Sequence, residues 1–531
     1  MRRGLAAGMA ALALLTGCTG GGHREPLSDT AGGGPRGAVR EAAPDRPGGQ
    51  GSATPGTEPS EPADFRSTFA LDVDTASYGY ARRTLRDGAL PAPRTVRTEE
   101  FVNSFPQGYR RPAGDGFSVS ADGARTGSGG WSLLRVGLAT AKSDPHVPRR
   151  PAALTFVLDV SGSMAEPGRL DLVQDALRAA ADGLRGGDFV SLVTFSGKAE
   201  TVLPMTRLGD GGRNRLRHAV AGLEPQADTN LAAGLEEGYR QAAEHRRAGA
   251  TNRVVLMSDA LANSGETDAK RILDSVRRHR KEQGITLFGV GVGSDYGDAL
   301  MERLTNKGDG HTVYLSSRRE ARKVFVNQLP RNIDLRARDA KAQVVFDRRT
   351  VGGFRLLGYE DRAVADEDFR DDRADGGEIG PGHTVTALYA VRLKKGARGR
   401  AATATVRWLD PDSRAPHETS REIGTGTLTR GTLWTDEGFP RTRRDGRVSP
   451  YLRLAAVAAC FAEELRRPGG GAAGTPPAPD RTAPGEQARS LPAAPSLDAL
   501  RAEANRLARD EKLHAAAGGL ADDIGRAQRA G

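Results

Sequence analysis

The chain of 531 residues predicts an α/β protein: a parallel sheet carrying helices on both faces, with flanking β-rich and helical segments. Three observations predict it. Between residues 151 and 330, short apolar runs alternate with helical spacings. Beyond Arg331 the apolar period drops to two, as in Val385, Ala387, Tyr389, Val391 and Leu393. Finally, the run Leu154-Thr-Phe-Val-Leu ends abruptly in Asp159, with hydroxyls at Ser161 and Ser163, so a buried strand stops where oxygen donors begin.

Length bounds the rest. A chain this long exceeds one ordinary core and suggests roughly three domains. Its hydrophobic fraction of 37% and aromatic fraction of 5% are low, so part of it is tether, leaving compact domains with aliphatic cores. The formal charge is +10, but the arginines are scattered and interrupted by Asp and Glu, apart from short runs such as Arg277-Arg278-His279-Arg280-Lys281. That pattern reads as a solvated surface and not as a nucleic-acid interface.

From the start, Met1-Arg2-Arg3 is basic, and the apolar run Gly4 to Leu15 is shorter than the roughly 20 residues a bilayer span needs. Leu15-Thr16-Gly17-Cys18 resembles the cleavage box of bacterial lipoproteins. The resemblance implies a signal peptide over 1–18, a lipidated Cys18 as mature N-terminus, and a chain tethered to the cell membrane on its extracytoplasmic face. With Cys18 lipidated, Cys460 has no disulfide partner and reads as a buried helix residue. Residues 19–64 are rich in Gly, Pro, Ser and Thr without apolar periodicity, and read as a disordered stalk. As a coil of about 45 residues it would hold a domain roughly 35–40 Å from its anchor.

The segment 65–145 begins with a short strand at Thr68-Phe-Ala-Leu. A helix follows, capped by Asp74 or Thr75, then a Pro-limited turn and a helix through Glu99-Glu100-Phe101-Val102. The group Asp72, Asp74 and Ser77 is best explained as helix capping. Phe117 to Ala121 and Trp131 to Leu138 alternate as strands.

In the central domain, 151–330, strands are expected at Ala153 to Val160, Phe189 to Phe195, Val254 to Ser258, Ile285 to Val292 and Thr312 to Leu315. The helices between them include Leu170 to Leu184, Leu231 to Ala248, Asp268 to Gln283 and a last one over Arg319 to Leu329. Such alternation means a parallel sheet. Residues 331–531 then read as an antiparallel β domain, a sandwich, followed by a helix at Leu452 to Leu465. A Gly/Pro-rich insert at about 468–495 and a final helical stretch complete the chain.

Three loops of the central domain carry the chemistry: Asp159, Ser161 and Ser163; Ala227-Asp228-Thr229-Asn230; and Asp259 at the end of Val254-Val-Leu-Met-Ser. In a parallel sheet all three lie at carboxyl ends of strands, so their oxygens converge across long sequence separations. Two carboxylates and three hydroxyls suit Mg2+, Ca2+ or Mn2+ and would under-fill an octahedral shell, leaving a position for a partner's oxygen.

This pattern resembles the metal-ion-dependent adhesion site of von Willebrand factor type A domains, whose fold is Rossmann-like. By that resemblance Ser161, Ser163 and Thr229 coordinate a divalent metal directly. Asp159 and Asp259 act directly or through water, and an Asp or Glu carboxylate of a protein partner completes the shell. Mg2+ is the first expectation for the ion. Outside the domain, Phe69-Ala-Leu-Asp-Val-Asp-Thr-Ala-Ser-Tyr, Phe354-Arg-Leu-Leu-Gly-Tyr-Glu-Asp-Arg and Asp375-Gly-Gly-Glu-Ile-Gly-Pro-Gly-His-Thr-Val-Thr-Ala-Leu-Tyr resemble a group of bacterial surface lipoproteins. In that group an A domain is bracketed by a family-specific N-terminal segment and a C-terminal domain of unknown function. Asp228 and Ala260 stand where that pattern usually has glycine.

Enzyme signatures are missing. No His-Glu-x-x-His, Gly-x-Ser-x-Gly elbow or phosphate-binding loop ending in Gly-Lys-Ser/Thr occurs. Gly289-Val-Gly-Val-Gly-Ser lacks the third glycine of a dinucleotide-binding loop, Ser294 standing at that position, and reads as a tight strand exit, and the acidic run Asp366 to Glu378 reads as a solvated loop. The expected function is partner binding at a cell-envelope metal site, not catalysis. A metal-assisted hydrolase and a structural envelope module with a vestigial site stand as alternatives.

Overall fold

The computed structural model describes residues 65–531 apart from 72–73, 128, 143–148, 260–268, 294–297, 309, 330–334, 375, 441–447 and 468–493. In chain order the strands are β1 (Arg66–Ala70), β2 (Phe117–Thr126), β3 (Trp131–Thr140), β4 (Ala152–Asp159), β5 (Phe189–Phe195), β6 (Ala199–Arg207), β7 (Thr251–Ser258) and β8 (Thr286–Gly291). They continue with β9 (Thr312–Tyr314), β10 (Ala337–Phe346), β11 (Val351–Leu357), β12 (Gly377–Ile379), β13 (Thr384–Leu393), β14 (Arg400–Leu409), β15 (Pro416–Gly424) and β16 (Thr432–Trp434).

The central sheet has the order β6-β5-β4-β7-β8-β9. Every residue of β4 is buried, which is why its sequence is an unbroken apolar run rather than an alternating one. One face is covered by helices Leu170–Gly183 and Gly212–Ala221, through Val173, Leu177 and Leu216. Helices Leu231–Glu244 and Ala269–Gln283 cover the other through Leu235, Tyr239 and Val276. The helix Leu231–Glu244 rides unusually close to the sheet: a Cβ at Gly238 would stand 2.2 Å from a methyl of Val157.

The sheet is not wholly parallel. β6 folds back antiparallel on β5. It is an edge strand with Pro204 inside it and Val202 exposed, so it shows no apolar run to mark it.

The strands on either side of the central sheet share two further sheets, ordered β1-β10-β14-β15, with β12 also on β10, and β11-β13-β3-β2-β16. Phe69 lies opposite Ala342, and Leu138 opposite Val385. The N-terminal flank therefore cannot complete a sheet without strands from beyond the central domain. The two sheets face each other across Phe69, Val136, Val344, Tyr389 and Val406, forming the expected sandwich, although β16 joins β2 in parallel. A helical layer covers the outer face of the second sheet. In it Tyr78 and Phe101 of the N-terminal helices, and Phe105 just beyond them, pack with residues of helices Pro450–Leu465, Leu497–Leu507 and His514–Ala530. Cys460 is free and buried there, and burial pushes its thiol pKa up.

Three further expectations are corrected. Asp74 does not cap the helix Ala76–Arg86: Thr75 occupies the N-cap without a side-chain bond. Asp74 is buried, accepting hydrogen bonds from the backbone N–H of Thr312 at 2.6 Å and from Arg362 at 2.8 Å, so it fastens the N-terminal segment to both later regions. The last helix of the central domain is split into an α-helical turn, Arg318–Arg322, and a π-helical stretch, Lys323–Gln328. The acidic run is more than a solvated loop. Carbonyls of Asp368, Asp371 and Ala374 accept hydrogen bonds from the buried Lys341 ammonium, and β12 is drawn from its end. Among the described residues, no helix is long and apolar enough to cross a membrane.

Candidate metal-binding site

The carboxyl ends of β4 and β7 carry Asp159 and Asp259, both fully buried. The backbone turns sharply after β4, and the N–H of Ser161 donates to Asp159 Oδ1 at 2.9 Å. Ser161 and Ser163 then lie with their hydroxyls 3.1 Å apart, and Ser163 donates to Asp259 Oδ2 at 2.6 Å. Ser258 donates to Asp159 Oδ2 at 2.5 Å. Ser161 is buried and Ser163 half-buried, so the cluster opens to solvent on the Ser163 side.

Thr229 reaches the same rim by two backbone ties. The N–H of Gln226 donates to Val160 O at 2.6 Å, and that of Asn230 to Ser196 O at 2.7 Å, which pins this loop across the ends of β4 and β5. Asn230 also caps the next helix, its side chain accepting from Ala233 N. Thr229 is buried between them. Asp228, beside it, is exposed and adopts φ +65°, a left-handed conformation that favours the glycine usual at this position. Ala260 and Cys18 lie outside the described residues.

Burial pushes the Asp159 carboxyl up to about 6, against the downward pull of hydrogen bonds from Ser161 and Ser258, and the charge of Asp259 adds to the rise. Two like charges held out of water call for a cation. Part of that demand is met by Arg169, buried, whose Nη1 donates to Asp259 at 2.8 Å while Nη2 reaches Glu166 at 2.5 Å. A Cβ on Gly293, at φ +89°, would come within 2.9 Å of Arg169 Nε, so a glycine makes room for this arginine.

Sequence reasoning missed Arg169 and Ser258. Arg169 left one trace: it stands at the N-cap of Leu170–Gly183, where a cation opposes the helix dipole and Ser, Thr or Asp is the usual choice. Ser258 looked like the last residue of an apolar strand.

Tested against a small divalent ion, the donor set fits in kind: hard carboxylate and hydroxyl oxygens converge, with neighbouring oxygens 2.6 and 3.1 Å apart. Among the described residues no three His, Cys, Asp or Glu side chains cluster as a metal cage, so any ion here depends on the hydroxyls.

Fold and rim together define a protein of the von Willebrand A type. Residues 153–327 match the family model for the von Willebrand factor type A domain, and residues 58–129 match a model described as von Willebrand factor. Residues 333–429 match the C-terminal domain model of the uncharacterized protein YfbK. YfbK of Escherichia coli is 33% identical over 415 residues, covering 75% of this chain and 71% of that protein, and the chain belongs to the YfbK family. Synechocystis protein sll0103 is 28% identical over 193 residues, 36% of this chain and 44% of its own. A solved von Willebrand factor type A structure from Catenulispora acidiphila covers 66% of this chain and 81% of its own at 16% identity, with a TM-score of 0.43. The class is one of protein-interaction modules.

Proposed function

We propose that the protein is a lipid-anchored component of the extracytoplasmic membrane face that binds a protein partner through a divalent cation. Asp159, Ser161, Ser163, Thr229 and Asp259 would hold the ion, and the remaining position would take an Asp or Glu carboxylate from the partner. The observation that carries the reading is the convergence at Ser163, whose hydroxyl lies within hydrogen-bond distance of both Ser161 and Asp259, beside the buried Asp159. When bound, the cation supplies a Lewis-acidic point for an incoming carboxylate. The chain's own part is to hold the donors in place through Ser258, Gln226 and Asn230, and to keep water from the buried carboxylates.

Titration calorimetry of the full chain with Mg2+ and Mn2+ should show one site, lost in Asp159→Ala and weakened in Thr229→Ala. Divalent binding that survives Asp159→Ala would sink the assignment. Pull-down from an envelope fraction should yield a partner with wild type in Mg2+ but not with Thr229→Ala. The anchor is tested by fatty-acid labelling, expected on wild type and absent from Cys18→Ala. The salt bridge of Arg169 to Asp259 favours a second reading, a structural module whose arginine has replaced the ion. That reading expects no divalent binding at all.

A further inference from the structure

A cleft of about 530 Å3 opens where three segments distant in the chain meet: helix Ala76–Arg86, the turns Arg318–Gln328, and the C-terminal helix His514–Ala530. Its walls are basic. Arg82 and Arg86 come from the first segment, Arg319 and Lys323 from the second, and Arg526 from the third. Ala515 and Gly519 add small residues to the lining, and a Cβ on Gly519 would meet no atom within 4 Å.

The carboxylates nearby are largely committed elsewhere. Glu320 Oε2 accepts from the N–H and hydroxyl of Ser316 at 2.9 and 2.5 Å, and its Oε1 takes Arg82 at 3.3 Å. Asp523, buried beneath, accepts from Arg82, Arg526 and the Tyr78 hydroxyl. Among the described residues that line the cleft, Asp522 is the one further anion besides Glu320. Among the described residues the Arg86 side chain has a single hydrogen bond, 3.3 Å to Ser316. The side chains of Arg319 and Lys323 are exposed and show no ion pair or hydrogen bond among the described residues. They stand four positions apart on one helical run, a spacing at which like charges repel.

We propose that this cleft binds a compact, multiply charged phosphate ligand. Arginine forks match phosphate oxygens two at a time, and the lysine adds a point charge. The volume lies within the roughly 300–1,000 Å3 of small-ligand clefts. A single carboxylate would answer one of Arg86, Arg319 and Lys323, whereas a phosphate with several charged oxygens answers all three. Such a ligand ties the C-terminal helix to the central domain, so binding raises resistance to unfolding.

The test uses the full chain in divalent-free buffer, which leaves the rim site out. Inorganic pyrophosphate should raise the unfolding temperature above that in NaCl of equal ionic strength. The double variant Arg319→Gln, Lys323→Gln should keep the ligand-free unfolding temperature and bind about tenfold or more weakly, since two charge-assisted contacts go. Co-sedimentation with vesicles containing cardiolipin, whose headgroup carries two phosphates, lost in the same variant, would identify the phosphate as a lipid headgroup. Pyrophosphate binding without sedimentation would identify a free ligand. Binding of neither, or binding unchanged in the double variant, overturns the proposal.

Discussion

At the joint between the central sheet and the helical layer, Asp74 and Glu100 are answered by arginines and backbone; at the sheet rim, the hydroxyls of Ser258 and Ser163 join the Ser161 N–H and Arg169 in answering Asp159 and Asp259. Arg362 bridges toward both joint carboxylates, at 2.8 Å from Asp74 and 3.9 Å from Glu100, while Arg97 and the N–H of Ser77 take the two oxygens of Glu100. Charges fixed this way are cross-links, because each guanidinium is spent on one geometry. Serine and threonine carry no charge and turn freely, so the rim carboxylates keep a demand for positive charge that a mobile ion meets. The same acidic side chains thus build a fastening in one place and a receptor in the other, and the neighbours decide which.

The contrast breaks most violently at Arg362. Arg362→Ala leaves Asp74 and Glu100 buried with less compensation and should cost about 3–5 kcal/mol in denaturant unfolding, with no rescue by Mg2+. Arg169→Met is the rim counterpart. It should lower ion-free stability by roughly 2–4 kcal/mol, and saturating Mg2+ should recover about 2–3 kcal/mol of it, because the ion replaces the lost cation. Equal loss with and without Mg2+ would make the rim a cross-link like the joint.

The third effect concerns Glu99, neighbour of the joint. Burial, with Glu360 and Glu100 beside it, pushes its carboxyl up to about 7 from 4.5, and its Oε2 has no hydrogen-bond partner among the described residues. In the pH range between those two values the folded state holds a proton that the unfolded chain has released. Stability therefore falls as pH rises through that window. Glu99→Gln should flatten this slope and stabilise the protein at pH 8 by roughly 1–3 kcal/mol, read from unfolding at several pH values. The smallest change is Asp228→Gly, which relieves the left-handed conformation beside Thr229 and should gain about 0.5–1 kcal/mol. It also removes a carboxylate near the rim, so any shift in metal preference reports how far Asp228 tunes the ion.

Much of the central domain was legible because its strands are buried on both sides and therefore written as apolar runs, β4 most plainly. The rim oxygens were legible for a related reason: a carboxylate ending such a run is costly unless it has a task. β6 was not legible, since an exposed edge strand needs no apolar run. The interleaved sandwich was only partly so: period-two alternation announces strands, but nothing local in Phe69 tells it to pair with Ala342. Arg169 escaped because its partner Asp259 is reached only through the fold, and the same holds for the joint, where Asp74 meets Arg362.

The interleaving of the two flanks also fixes the order in which the chain can assemble as it emerges. The central sheet has all its partners within one continuous stretch and can close early. β1 and β3 must wait, edges bare, until β10 and β13 have been made. During synthesis the earliest strands are thus the last to be protected, and a holding factor that shields exposed β edges would act on the N-terminal flank first.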